Sequence, residues 1–398
     1  MKKRILSVVG ARPNFMKIAP FVQALRRRAD RFEPLLVHTG QHYDREMSES
    51  FFQSLDIPAP DLHLGVGSGT HAEQVGRTMI EFEKVVRTVR PDWVVVVGDV
   101  NATCACSITA KKEGVRVAHI EAGLRSFDLG MPEEINRMVT DRLSDLLFTP
   151  DEISGGHLRR EGVPEERIRF VGNIMIDTLD AHRARAEAMD LNAVVCDHAI
   201  DPAARGLASL PLRPGGFLVL TLHRPSNVDA RGALEPLVRF LADEAAHNLP
   251  LVWTVHPRTR KQLEAFGLWD GLARHPRMLL LKPVDYHAML KLNLEARVLL
   301  TDSGGLQEEA CVLGTPCVTL RDNTERPITL VEHGGVSVLT GHDVDRVRRA
   351  LAWGLSTPRK PFRPPLWDGR TADRIAAALT EEMPHAEARS TERPVGGR

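Results

Sequence analysis

The chain has 398 residues, with 52 Lys plus Arg against 52 Asp plus Glu, and 43% of it is hydrophobic. That length exceeds what one hydrophobic core usually organises, so two α/β domains of comparable size with a cleft between them are expected. Balanced charge gives no overall field for nucleic acid or an anionic membrane, and the cysteines (Cys104, Cys106, Cys196, Cys311 and Cys317) lack a CxxC pair or a disulfide-framework spacing, which fits a reducing cytoplasm.

At the N-terminus, Lys2, Lys3 and Arg4 precede an apolar run that gives way to Gly10, Arg12 and Pro13. It is too short for a secretory signal or a membrane span and reads as a first buried strand. Short apolar runs then alternate with helix-length segments, the pattern of parallel strands joined by crossover helices. The first half offers Ile5–Val9, Pro34–His38, Trp93–Val97, Val115–Ile120, Leu146–Thr149 and Ile168–Val171 as strands. Between about residues 188 and 215 the composition turns to Asn, Asp, Pro, Gly and Arg and reads as a connection rather than a packed element. Strands resume at Phe217–Leu222, Leu251–Val255, Met278–Leu281, Val298–Thr301, Cys317–Leu320 and Val336–Leu339. The expected architecture is two Rossmann-like, doubly wound domains, 1–187 and 188–368, facing across a cleft. A terminal helix (369–383) packs back on the first domain, and a disordered tail (384–398) follows.

Several strand ends carry chemistry. Gly10-Ala11-Arg12-Pro13-Asn14-Phe15-Met16-Lys17 joins the first strand to a helix; its glycine, free helix N–H groups, Arg12 and Lys17 suit a diphosphate, while an ordinary strand–helix turn is the plainer reading. Gly65-Val66-Gly67-Ser68-Gly69 reads as a flexible loop. Asp99 and Glu121 close successive strands, so they meet at one rim of the cleft, where they can move protons. Glu133 and Arg137, spaced i,i+4 in Pro132-Glu133-Glu134-Ile135-Asn136-Arg137, taken alone read as a surface pair.

His223 and Arg224 follow one strand of the second half, and His256 the next. In Thr301-Asp302-Ser303-Gly304-Gly305-Leu306-Gln307-Glu308-Glu309, Ser303 and the glycine amides suit phosphate and a carboxylate one turn on suits ribose hydroxyls, although capping alone accounts for Ser303 and the glutamates. Arg321 and Arg326 sit in a loop after a strand. There is no zinc spacing, HExxH, EF-hand loop, GxSxG elbow or complete dinucleotide fingerprint, so neither a metal nor another cofactor is called for.

Together GARPNFMKIAP, TGQHYD, VVGDVNAT, HIEAGLR, PEEINR, GNIMID, TLHRPSN, TDSGGLQEEA, LGTPCVTLRDNTERP and EHGG resemble, in order from residue 10 to 335, the non-hydrolysing UDP-N-acetylglucosamine 2-epimerases. The resemblance implies a fold like the B-type glycosyltransferases. It further implies a cytoplasmic homodimer that needs no cofactor and interconverts UDP-N-acetylglucosamine with UDP-N-acetylmannosamine for surface polysaccharide. It places catalytic roles on Asp99, Glu121, Glu133 and His223, and substrate contacts on Arg12, Lys17, Ser303, Gly304, Glu309 and Arg326. Arg137, His256 and Gly305 join the candidate contacts.

Three features depart from the family pattern. Pro225 and Ser226 stand where a glutamate commonly follows the histidine–arginine pair; Met289 stands where many members place an aromatic residue against uracil; and Gln41-His42-Tyr43-Asp44-Arg45-Glu46 replaces the glutamine-rich stretch of substrate-activated members, implying weak or absent activation by substrate. An epimerase of UDP-2,3-diacetamido-2,3-dideoxyglucuronic acid is the alternative substrate reading. A UDP-sugar-binding regulatory module would be expected to lack the rim carboxylates. A true glycosyltransferase would need an acceptor groove, and a hydrolysing epimerase a fused sugar kinase, for which no length follows residue 383.

Overall fold

The computed structural model describes residues 2–40, 55, 57, 59–200 and 212–381. Two sheets, parallel throughout, divide the chain. The first comprises β1 (Lys3–Val9), β2 (Phe32–His38), β3 (Leu62–His63), β4 (Trp93–Val97), β5 (Arg116–Ile120), β6 (Leu146–Thr149) and β7 (Ile168–Phe170), in the order β3-β2-β1-β4-β5-β6-β7. The second comprises β8 (Leu218–Leu222), β9 (Leu251–Val255), β10 (Met278–Leu281), β11 (Val298–Thr301), β12 (Cys317–Thr319) and β13 (Ser337–Leu339), in the order β10-β9-β8-β11-β12-β13. Both orders reverse at the middle, at β1/β4 and β8/β11, and ligand crevices in such sheets lie beyond the strand carboxyl ends at these points.

The central strands are apolar runs because helices cover both sheet faces: all five residues of Trp93–Val97 are buried. β3 escapes sequence reading because it is two residues long at a sheet edge. The first core cluster joins β1, β2, β4 and β5 to the helix Arg12–Arg26, and also takes in Tyr286, Leu290, Val312 and Leu313 from the second half. The helix Thr371–Thr380 lays Ile375, Ala376 and Leu379 into the same cluster. Its N-terminus is capped by Asp177, whose oxygens accept from Thr371 N–H at 3.0 Å and Ala372 N–H at 2.7 Å.

The segment read as a bare connection is corrected in its first part. Leu191–His198 is a helix, capped by Asp190, whose side chain accepts from Ala193 N–H at 2.7 Å. It buries Leu191, Val194 and Val195 against the second sheet. An i, i+3, i+4 apolar triplet behind an N-cap outweighs the polar average of the window. Residues 201–211, the Gln41–Glu46 stretch and the 384–398 tail lie outside the described residues.

Candidate active site

The carboxyl end of β4 runs into Gly98 and Asp99, and that of β5 into Glu121. Parallel register sets Val97 beside Ile120, so the two carboxylates leave the sheet side by side. Glu121 adopts φ +74°, a left-handed conformation that costs a non-glycine residue on the order of 1–3 kcal/mol and clusters at functional sites. There its own N–H and that of Ala122 both donate to Phe148 O, at 3.1 and 3.0 Å. Gly98, at φ +68°, has no side chain, and a Cβ there would stand 3.3 Å from Lys17 Nζ and 3.4 Å from Glu121 Oε2.

Lys17, one turn into the first helix and buried, pairs with Glu121 Oε2. From the second half Arg326 Nη2 reaches Glu121 Oε1 at 2.9 Å, so both oxygens of this buried carboxylate are held by cations, one from each side of the cleft. Arg326 also pairs with Glu325 through Nη1 and lies 2.8 Å from Glu308 Oε1 through Nε. Arg321 Nη2 donates to Glu325 at 2.6 Å.

Burial pushes the Glu325 carboxyl up, but Arg326 and Arg321 hold it well below the usual range. Glu308, buried and only partly compensated by Arg326, is pushed up to about 7. Burial likewise lifts Glu309 to about 8, against the hydrogen bond of Tyr286, with Glu308 adding to the rise. Gly304 has a steric duty besides its amide: a Cβ would collide with Arg326 Nη1 and stand 2.8 Å from Glu325 Oε1. Gly305 would meet only Met175 Cε, at 3.8 Å. Ser303 occupies the N-cap position of the helix Gly304–Leu313 without a side-chain capping bond.

Arg137 does not form the surface pair with Glu133 that its spacing suggests. It is buried, donating to Asp99 Oδ2 at 2.5 Å and to Glu134 Oε2 at 2.5 and 3.0 Å. Glu134 in turn receives the N–H groups of Ser126 and Phe127, each at 3.0 Å, so it is the fixed anchor for Arg137. Burial raises the Asp99 carboxyl, but Arg137 and then Lys17 outweigh it and hold it below the ordinary value. Glu133 is half-buried, and its charge acts on Arg224 of the opposite half: burial and Arg321 lower the Arg224 guanidinium, while Glu325 and Glu133 raise it.

His223 follows β8 with Nδ1 2.7 Å from Asp302 Oδ1. Asp302 Oδ2 accepts from the N–H groups of His223 and Arg224 at 2.9 and 2.8 Å. Burial raises Asp302, and the His223 hydrogen bond and charge more than offset it. With Nδ1 engaged, Nε2 is the ring atom left to a ligand. His256 caps the helix Pro257–Ala265 and lies 5.7 Å from His223 between ring centroids. Both rings line a cavity of about 140 Å³ with Thr221, Leu222, Thr254, Pro283, Val284 and Met289. Tyr286 is buried against His182 instead, at 5.9 Å. A larger cavity of about 330 Å³, between Thr149, Asp151, Arg159 and Phe170, contains none of these residues. The Arg12 side chain lies outside the described set.

Two parallel α/β sheets, with the carboxylate cluster and polar strand ends at their carboxyl edges, have the architecture of the B-type glycosyltransferases and their relatives. A family model described as UDP-N-acetylglucosamine 2-epimerase matches residues 23–380, and the chain belongs to that family. The UDP-N-acetylglucosamine 2-epimerase of Methanocaldococcus jannaschii is 39% identical over 379 residues, 94% of this chain and 98% of that protein. A crystal structure of the enzyme from that organism in complex with UDP-GlcNAc and UDP covers 95% of this chain and 99% of its own, with TM-score 0.84. The UDP-2,3-diacetamido-2,3-dideoxy-D-glucuronate 2-epimerase of Pseudomonas aeruginosa is 37% identical over 380 residues, 95% of this chain and 99% of that one. A plant glycosyltransferase, 11% identical with TM-score 0.53, is alike in fold alone.

Glu325, Asp302 and Glu134 were not singled out from the sequence, whereas Arg321 was read only as a loop residue and Glu308 only as a helix-start glutamate. The i,i+4 spacing of Arg321 and Glu325 was the available signal for that pair, and the strand-end position for Asp302.

Glu309 gives a pH test. Its folded pKa of about 8 lies above the ordinary value of 4.5, so folded protein keeps a proton that unfolded chain has released. Its contribution to stability is complete below about pH 4.5 and lost as pH rises through about 8. Denaturation midpoints should therefore shift in favour of Glu309→Gln over wild type between about pH 5 and pH 8; parallel profiles would show that Glu309 does not hold the proton.

Proposed function

We propose that the protein interconverts UDP-N-acetylglucosamine and UDP-N-acetylmannosamine without hydrolysis, by eliminating and re-adding UDP. The observation that carries this reading is the placement of Asp99 and Glu121 after adjacent strands, with Arg326 of the second half on Glu121 and Glu133 near enough for its charge to act on Arg224.

The C2 proton of the sugar is not adjacent to a carbonyl carbon, so a carboxylate cannot remove it directly at a useful rate. Breaking the C1–oxygen bond sends its electron pair to the UDP β-phosphate oxygen and leaves an oxocarbenium-like C1. The C2 proton then passes to a carboxylate as the C1=C2 bond forms, giving 2-acetamidoglucal and UDP. Return of a proton to the opposite face of C2, with attack of the UDP oxygen on C1, completes the inversion. Acid–base groups are needed on both faces, and the three carboxylates supply them.

Lys17, Arg12, Arg326, His223 and the helix amides at Ser303–Gly305 stabilise the departing diphosphate. An entering diphosphate competes for Lys17 and Arg326 with Glu121, which frees the carboxylate oxygens for proton transfer. The cavity beside His223, His256 and Met289 takes the base, and Glu309 the ribose. Closure of the two halves keeps the glycal from escaping. Among the described residues no group of three or more His, Cys, Asp or Glu side chains is placed to hold a metal ion.

A second substrate, the diacetamido-glucuronate nucleotide, is favoured by the Pseudomonas relative at 37% identity. The same experiment separates the two. Incubated in deuterium oxide without added metal or cofactor, the protein should convert UDP-N-acetylglucosamine to the manno epimer carrying deuterium at C2. Asp99→Asn should lower the rate by on the order of 10²–10⁴, the range for loss of a general acid–base group. Exchange and epimerisation with the diacetamido-uronate alone would establish the second reading, and silence with both would overturn the epimerase assignment.

The reading includes a cytoplasmic homodimer supplying N-acetylmannosamine units for surface polysaccharide. Exposed Phe127, Leu129, Ile135 and Met138, at 72, 66, 50 and 43% accessibility around the start of the helix Pro132–Leu143, support self-association. Sedimentation should return twice the chain mass; a monomer at assay concentrations would remove the dimer from the account.

A further inference from the structure

The two carboxylates Asp99 and Glu121 sit on separate loops, and proton transfer to opposite faces of one carbon demands a fixed distance between them. A misplacement of about 1 Å can cost on the order of 10²-fold in rate. One buried side chain ties these loops together. His119, on β5 and fully buried, has Nε2 2.8 Å from the carbonyl oxygen of Gly98, the residue before Asp99. Its Nδ1 is 2.6 Å from Asp141 Oδ1.

Asp141, also buried, uses its other oxygen to accept from Gly123 N–H at 3.1 Å and Arg125 Nη1 at 2.7 Å. Arg125 Nη1 donates as well to Leu124 O at 2.8 Å, and the guanidinium grips Glu161 at 2.8 and 2.7 Å. The chain Gly98–His119–Asp141–Gly123/Arg125 therefore runs beneath the rim and binds the backbone just before Asp99 to the backbone just after Glu121. Glu121 lies between His119 and Gly123 in a strained conformation that only firm anchoring on both sides maintains. One nitrogen is matched to the backbone carbonyl before Asp99 and the other to a carboxylate of the helix Pro132–Leu143 that also holds Gly123 N–H.

We propose that His119 and Asp141 are positioning residues that set the separation of Asp99 and Glu121 without touching substrate. The inference rests on the epimerase reading above. Replacing His119 by Gln keeps an N–H donor near the Nε2 position and thus the bond to Gly98 O, whereas Asn keeps only a polar group near Nδ1, on the Asp141 side. Turnover should be measured per UDP-binding site, which counts folded protein alone. His119→Asn should lower kcat by on the order of 10–100-fold with UDP affinity unchanged, and His119→Gln should recover on the order of tenfold of that loss.

A merely structural histidine would give equal turnover per site in wild type, Asn and Gln variants, and that result overturns the proposal. So does a loss confined to KM. If His119→Asn yields no UDP-binding protein, Asp141→Ala takes its place. That variant removes the oxygens that meet His119 Nδ1, Gly123 N–H and Arg125 Nη1, so it should lower kcat at unchanged UDP affinity. Wild-type kcat per UDP-binding site in Asp141→Ala overturns the proposal. Failure of the epimerase reading shows differently, as absence of C2 exchange in wild type itself.

Discussion

Glu121 is held between Lys17 and Arg326, and the arrangement of the cleft follows from that pairing. A carboxylate this deeply buried is costly unless its oxygens are compensated, and the compensation comes from both halves of the chain. Lys17 is delivered by the helix after β1, whereas Arg326 is delivered by the loop after β12 and braced by Glu325 and Glu308. Gly304 has to lack a side chain for Arg326 to lie there, and Glu121 has to bend into a left-handed conformation to meet both cations. Buried ion pairs often contribute little net stability, so a strained residue, a required glycine and a stack of like charges around one carboxylate point to chemistry rather than to folding.

The same logic orders the rest of the rim. Asp99 is kept ionised by Arg137, which Glu134 anchors, and His223 is oriented by Asp302, which also gathers the amides of the loop that carries it. Asp302 is fixed by backbone amides, and Arg137 by Glu134, which itself accepts from the N–H groups of Ser126 and Phe127. A diphosphate entering between Lys17, Arg326 and the helix N-terminus would exchange one set of charge partners for another. In the proposed reaction, diphosphate binding and release of the Glu121 carboxylate become one event.

Much of this was legible in the residues. Strand ends at Val97, Ile120, Leu222 and Thr301 were marked by apolar runs that stop at glycine or a polar side chain, and parallel-sheet topology then placed Asp99, Glu121, His223 and Ser303 along the cleft. The pairing of Arg137 was not legible, because an i,i+4 Glu–Arg spacing is equally that of a solvated helix face. Only the packing of the helix Pro132–Leu143 against its neighbours turns Arg137 inward to Asp99. Glu325 escaped notice for a related reason: a carboxylate beside arginines in a loop reads as surface charge until tertiary packing buries it, and Glu308 read as no more than a glutamate favoured at a helix start. The helix Leu191–His198 was hidden by the polar residues that follow it.

In the proposed reaction Glu121 and the diphosphate compete for the same two cations, and calorimetric titration of UDP into wild type and Glu121→Gln tests this competition. Removing the carboxylate charge leaves Lys17 and Arg326 uncompensated in a buried site. UDP affinity should therefore be higher in the variant by on the order of tenfold or more, about 1.4 kcal/mol per tenfold, although epimerisation is lost. Equal or weaker UDP binding by Glu121→Gln would contradict it.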